Sequence, residues 1–461
     1  MKNKKILVLL IIAIIAIIIG FFFNQNNKIT PEAIEPEHQI TKNFPGAKGD
    51  YTIDIRMDEN NIFHIRAEID VTNLSEDIWE TVGFNFVPNA LTKENGFLEQ
   101  QDTSEVTMES ITILGDQAEY ELESNKLLVK LKNSLTPNEK TTIRITYSME
   151  IPEYGYRLGT DNQNYYLGHW YPMLANYAGD WIIRDYVLTG ETYETGYGSY
   201  KVTYDLPQDF FVASSGSEGV IKETTNGTIE GDQIKDFYIA FLHPDKWVTE
   251  EAVVNDTTLR LFVPLYSENL LESMLEISKD SFGYLEEKIG DNPSTELDII
   301  ANNGGMEYPN IIEVHDFPEQ YKTTLVHEIV HQWFYYMIPS DPYQDAWLDE
   351  SITVLVTSLY LSEKEPNQGH ELVEMNKRNP PANQSIEDLA DAYVMTIYRD
   401  APAVMYKFFH ENGGTEEAFQ FFSAYFDEFQ FKYVNTASFI KFFHDYYEGK
   451  HDKELKEWLE I

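Results

Sequence analysis

Three stretches of the chain differ in the period of their apolar positions. The first is an unbroken apolar run from Ile6 to Phe23, preceded by the basic start Met1-Lys2-Asn3-Lys4-Lys5. It is close to the roughly 18-residue length at which a helix spans a bilayer, and longer than the core of most signal peptides. No small-x-small cleavage site follows in Asn24-Gln25-Asn26-Asn27-Lys28. From Tyr51 to about residue 250 apolar residues tend to alternate with polar ones, as in Tyr51-Thr52-Ile53-Asp54-Ile55-Arg56-Met57 and Phe63-His64-Ile65-Arg66-Ala67-Glu68-Ile69-Asp70-Val71. That period predicts half-buried strands, and Asp58-Glu59-Asn60-Asn61 between them predicts a hairpin turn. Leu127–Leu131, Thr142–Tyr147, Tyr200–Tyr204 and Leu259–Val263 repeat the theme. From about Ser267 the spacing becomes helical, over Asn269–Ile289, Ala401–Glu411, Glu416–Phe429 and Thr436–Tyr447, with one strand at Leu297–Ile300. Phe408, Phe409, Phe419, Phe421, Phe422 and Phe426 along these helices predict core packing.

These periods predict a multidomain α+β protein. Residues 1–28 form a basic start and membrane anchor, 29–50 a polar tether with scattered Pro and Gly, 51–255 an all-β domain and 256–461 a mostly helical domain. The lysines precede the apolar run, while Glu32, Glu35 and Glu37 follow it. That asymmetry predicts a single-pass chain with a cytoplasmic amino terminus and an extracellular body. The formal net charge of −43 argues against a nucleic-acid partner, whose phosphates it would repel. With no cysteine, a disulfide framework, a thiolate metal site and a cysteine nucleophile are all excluded.

The candidate chemistry lies in His327-Glu328-Ile329-Val330-His331 and in Glu350, nineteen residues further on in Trp347-Leu348-Asp349-Glu350. On a helix, residues four apart share a face, so His327 and His331 can hold one metal ion. Glu328 stands one step round the helix, and Glu350 would supply a third ligand and leave one position open, as in a catalytic Zn2+ site. The segment Leu325–Phe334 has no Gly or Pro; its helix is expected to end before Pro339, and a second to start near Asp345. Asp345 and Asp349 are both candidates to orient a ligand histidine.

The sequence His327-Glu328-x-x-His331-Gln332-Trp333-Phe334 with Trp347-Leu348-x-Glu350 resembles the gluzincin zinc metallopeptidases of the aminopeptidase N and leukotriene-hydrolase type. Gly304-Gly305-Met306-Glu307-Tyr308-Pro309 resembles that family's Gly-x-Met-Glu-Asn segment, with Tyr308 in place of Asn. Val394-Met395-Thr396-Ile397-Tyr398-Arg399-Asp400 is similar to the segment bearing its catalytic tyrosine, and lacks the usual Lys-Gly-Ala afterwards. Trp170-Tyr171-Pro172 and Gly190-Glu191-Thr192-Tyr193-Glu194 resemble a bacterial branch. The resemblance implies an amino-terminal saddle-like β domain and a thermolysin-like catalytic domain holding one Zn2+ at His327, His331 and Glu350. It implies Glu328 as general base, Tyr398 as oxyanion donor (with Tyr393 and Tyr406 as rivals), and Glu307 as the group that grips a substrate's free α-amine. Gly304, Gly305 and Met306 would then line the substrate, with the glycines allowing close backbone approach. Larger members of the family carry a further helical domain that closes the cleft, so an open cleft is expected here.

The expected activity is zinc-dependent removal of amino-terminal residues from extracellular peptides. The alternatives are a zinc endopeptidase that processes membrane proteins, and a non-catalytic binding ectodomain on the same fold. The other histidines, among them His315, His169 and His410, have no partner spacing and are expected to be structural or on the surface.

Overall fold

The first alternating pair folds as Ala47–Met57 antiparallel to Phe63–Asn73, with Tyr51 opposite Ile69 and Asn61 in the left-handed region at φ 63°. This is a computed structural model; it describes residues 44–461 except 96–104, 154, 156, 162, 188–189, 303, 318–319 and 374–379. The hairpin lies within a ten-stranded sheet, between Lys140–Met149 and Gly198–Ser214. Its apolar positions (Ile53, Ile55, Phe63, Ile65, Ile69) are buried, because the two-residue repeat puts all of them on one face. A second, four-stranded sheet contains Trp79–Asn85 and Lys126–Leu135. The expected 1–28 anchor and most of the tether lie outside the described residues, and the tether's last residues, from Ala47, already belong to the first strand. Among the described residues, no helix is long and apolar enough to cross a membrane.

The third sheet positions the chemistry. Its order is Trp247–Val254, Thr257–Pro264, Glu296–Ala301, Ile311–Val314 and Met306–Tyr308, so Met306–Tyr308 is an edge strand. Trp247–Val254 pairs with Thr257–Pro264 in this sheet. The change of sheet therefore falls at the turn Pro244–Lys246 and not at the expected residue 255. Strand periodicity reveals a strand but not the sheet it joins. The helical region then follows: Leu271–Lys288, Tyr321–His331, Ala346–Lys364, Ala401–Glu411, Gly414–Phe429 and Thr436–Tyr447. Phe408, Phe409, Phe419, Phe421, Phe422 and Phe426 are all buried in its core.

Polar contacts join the β-rich part to the helical part. Arg184 donates to Asp341, and Tyr238 donates to Glu313 at 2.5 Å. Arg260, from the third sheet, is fully buried and donates to the backbone carbonyls of Val212 and Gly219. It also lies within 3.1 Å of Glu218, 2.9 Å of Glu296 and 2.7 Å of Asp298.

Candidate active site

The helix Tyr321–His331 is buried through Leu325, Val326, Ile329 and Val330, which fixes the direction of its remaining face. A π-helical turn over Gln332–Met337 extends it before Pro339. The Gln332 amide donates to the Tyr308 carbonyl at 3.1 Å and accepts from the Asn310 amide at 2.9 Å. One side chain thus ties this helix to the end of the edge strand that carries Glu307. The second helix, Ala346–Lys364, brings Glu350 to the same place from about one turn inside its start.

The two imidazoles and the carboxylate converge. His327 Nε2 and His331 Nε2 are 3.0 Å apart, and Glu350 Oε2 lies 3.4 and 3.5 Å from them. Ligands about 2.0–2.1 Å from a tetrahedral zinc are roughly 3.3 Å from one another, so this donor set fits the ion. His331 Nδ1 lies 2.6 Å from Asp349 Oδ1, and Thr353 Oγ1 is 3.3 Å from the same nitrogen. Of the two aspartates considered from the sequence, Asp349 is therefore the one beside a histidine; Asp345 instead accepts from Thr436.

Glu328 is 4% exposed, and its Oε2 accepts no hydrogen bond among the described residues. Burial, reinforced by Glu350 and Asp349 and opposed by His331, pushes its carboxyl up to about 8. Glu307 is buried on the edge strand, and its carboxylate reaches the His331–Glu350 cluster. Burial raises its pKa well above the usual carboxylate range, and Glu191, Glu350 and Glu328 add to the rise against His331. Met306 and Gly305 line the cavity beside it, of about 90 Å³, together with Arg157, Glu191, Glu350, Tyr393 and Tyr398. Gly304 does not line it; a Cβ there would stand 2.7 Å from Cβ of Glu313, so its glycine makes room for a neighbouring side chain. Gly305 is different, because a Cβ at that position would face Glu328 Oε1 at 3.5 Å.

Tyr398 lines the cavity beside Glu350, and burial with that carboxylate raises its pKa well above that of a free phenol. The Ser351 hydroxyl, one residue after Glu350, donates to the Ile397 carbonyl at 2.6 Å and fixes the tyrosine's segment. Asp400-Ala401-Pro402 has the residue pattern of a capped helix start, and the local structure differs from it. Tyr393–Met395, a π-helical turn over Thr396–Asp400 and Ala401–Glu411 follow one another without a break, and Asp400 has helical φ and ψ with no side-chain cap. Pro402 falls directly after the π-helical turn Thr396–Asp400. Tyr393 also lines the cavity, whereas Tyr406 does not and stacks on His410.

Several residues around the site had no role assigned from sequence. Glu191 is buried, accepts from the Tyr193 hydroxyl at 2.6 Å and lies 3.7 Å from Arg157 Nη2. Lys235 is buried with Nζ 3.1 Å from the Tyr335 ring centroid, and the carboxylates of Asp349, Glu191, Asp236 and Glu307 all act on it. His315 is half-buried, its ring stacked on Phe317, and its Nε2 would be 3.9 Å from a Cβ at Gly305. His169 is fully buried beside Asp236 at 3.2 Å. The signal for Glu191 was the Gly190–Glu194 segment; nothing local marks Lys235 or His315, whose neighbours come from distant parts of the chain.

The fold and the His-His-Glu donor set resemble those of the gluzincin metallopeptidases. Residues 309–460 match the peptidase family M1 domain. The carboxy-terminal part of the chain is thus an M1 peptidase domain, and the protein is a hydrolase. Among solved structures, an M1 zinc metallopeptidase from Deinococcus radiodurans superposes with a TM-score of 0.63 at 12% identity, over 90% of this chain and 94% of that one. A mutant of that enzyme bound to a Tyr-Ser-Ala substrate gives 0.60 at 13% identity, over 90% and 94%. Yeast LTA4 hydrolase in complex with bestatin gives 0.62 at 15% identity, over 94% of this chain and 70% of that one. A search of curated protein sequences finds no match.

Proposed function

We propose that the protein is a zinc aminopeptidase that removes the first residue from peptides with a free amino terminus. The observation that carries this reading is the pairing of Glu307 and Glu191, two buried carboxylates lining one cavity beside the His-His-Glu set. Two such groups side by side repel each other, and a substrate ammonium between them relieves both the repulsion and the burial cost. An endopeptidase has no use for that arrangement. A structure of a relative with a bound peptide substrate supports the same reading.

His327, His331 and Glu350 would hold one zinc ion, which would supply a Lewis acid for activating water and polarising the scissile carbonyl. Asp349 fixes the His331 ring through Nδ1, which leaves Nε2 to face the metal position. Glu307 and Glu191 anchor the α-amine and so set which peptide bond reaches Glu328. Glu328 takes a proton from the attacking water and returns it to the leaving amine. The Tyr398 hydroxyl donates to the oxyanion that forms on the carbonyl. The amino-terminal sheets form a saddle over one side of the cleft, and the helical part is a thermolysin-like catalytic domain. Residues 6–23 anchor the chain so that this body lies outside the cell, as the distribution of lysines and glutamates supports.

The test is metal dependence. Cleavage of a free-amine peptide is expected to stop on chelation and to return with one equivalent of zinc. Cleavage that persists in excess chelator contradicts the proposal.

A further inference from the structure

Residues 190–194 belong to no strand, yet this segment carries Glu191 to the cavity. Contacts other than a sheet ladder must therefore hold Glu191 in place. The Asn176 amide donates to the Glu194 carbonyl at 3.2 Å, and the Tyr433 hydroxyl donates to the Thr195 carbonyl. Both are backbone ties just beyond Glu191. The side chain of Glu194 supplies a third, of a different kind.

Glu194 is 3% exposed, and neither of its carboxyl oxygens has a well-formed hydrogen bond among the described residues. The side chain it meets is that of another acid, Asp341. Asp341 Oδ1 accepts from Arg184 Nη1 at 3.0 Å and from the Tyr343 and Gln344 amides at 3.0 and 3.2 Å. Its Oδ2 accepts from Arg184 Nη2 at 2.5 Å and keeps a lone pair free. So many donors, two of them on a guanidinium, mark Asp341 as the ionised member of the pair. A second buried carboxylate beside it would be a charge without a partner, and a proton on Glu194 removes that cost. Burial, with Asp341 adding to the rise and Arg184 opposing it, raises the Glu194 pKa well above the usual carboxylate range. Tyr433 faces both acids, and Asp345 faces Asp341.

Asp341 opens the turn that launches the helix Ala346–Lys364. Its carbonyl accepts from the Asp345 amide at 2.8 Å, and Pro342 and Ala346 after it line the cavity. We propose that Glu194, as a neutral acid donating its proton to Asp341, is a positioning residue that sets the distance between the amine anchor Glu191 and the Glu350 helix. The inference rests on the aminopeptidase reading, because that reading gives Glu191 the substrate amine. A neutral donor suits this place, since it ties the two parts together without adding charge beside the anchor.

The test uses the full chain and one free-amine tetrapeptide. Glu194→Ala removes the donor, and KM is expected to rise about tenfold while kcat and bound zinc stay unchanged. Glu194→Gln keeps a neutral donor of the same length and is expected to restore the wild-type KM. The infrared difference spectrum between wild type and Glu194→Gln is expected to carry the C=O band of a protonated carboxyl. A purely structural role would lower kcat or zinc content in the alanine variant. That result, an unchanged KM in Glu194→Ala, a glutamine variant as impaired as the alanine one, or a missing carboxyl band overturns this inference and leaves the aminopeptidase reading standing. If the alanine variant does not fold, Glu194→Asp, one methylene too short for Asp341, is read in its place, with the same rise in KM expected. No cleavage of any free-amine peptide by the wild type overturns both.

Discussion

His331 Nδ1 lies 2.6 Å from Asp349 Oδ1, and the residue after Asp349 is Glu350, 3.5 Å from Nε2 of the same imidazole. One turn of helix thus holds His331 from both sides, with one carboxylate setting the ring and the next joining it at the metal position. A carboxylate behind a histidine ligand fixes its tautomer and raises its basicity. Asp349→Ala is expected to weaken zinc binding by about 10–100-fold. Competition with a calibrated chelator measures this; unchanged affinity would remove Asp349 from the account.

Tyr398 and Tyr406 are separated by geometry where sequence left them as rivals. Tyr398→Phe is expected to lower kcat by about 10²–10³ with little change in KM, the cost of one oxyanion donor. Tyr406→Phe, at a position stacked on His410 and outside the cavity, should behave as wild type. Steady-state kinetics on a single free-amine substrate checks both.

Arg260 is surrounded by Glu218, Glu296 and Asp298, and none of its side chain reaches solvent. Removing one partner of a buried ion cluster leaves uncompensated charge and costs about 3–5 kcal/mol. Arg260→Met should lower the urea midpoint accordingly. A loss below about 1 kcal/mol, the range of a surface pair, would show that the cluster contributes little.

Asp345 gives a stability prediction with a definite sign. Its burial, with Asp341 adding to the rise and the Thr436 hydrogen bonds opposing it, raises the carboxyl from 3.8 to about 6. Between those values the folded chain binds the proton more tightly than the unfolded one, so this group's stabilisation is fully present below about 3.8. It declines as pH rises to about 6 and is level above that. Asp345→Asn, which keeps an oxygen acceptor for Thr436, should remove that slope from unfolding curves recorded between pH 4 and 6. A slope unchanged in the variant would assign the pH dependence to other groups.

The metal set was legible because most of it is local. His327 and His331 are one helical turn apart, and the break before Pro339 with a new helix at Ala346 returns Glu350 to them. The helices Ala401–Glu411 and Thr436–Tyr447 were legible for the same reason, from apolar spacing. Arg157, Lys235 and His315 were not, since each reaches the site through packing between distant segments. Asp400-Ala401-Pro402 reads as a helix start, yet the helix runs through it, with the π-helical turn Thr396–Asp400 directly before the proline. Trp247–Val254 lies within the expected 51–255 β region yet pairs with Thr257–Pro264, as alternation carries no information about partners.

The most direct test compares cleavage of one peptide with its amino terminus free or acetylated, in the wild type and in Glu307→Gln and Glu191→Gln. The account predicts that the wild type cuts only the free peptide, and that each variant loses most of its kcat/KM for that peptide. Equal cleavage of the free and acetylated peptides by the wild type would contradict the assignment of Glu307 and Glu191 as the amine anchor, and with it the aminopeptidase.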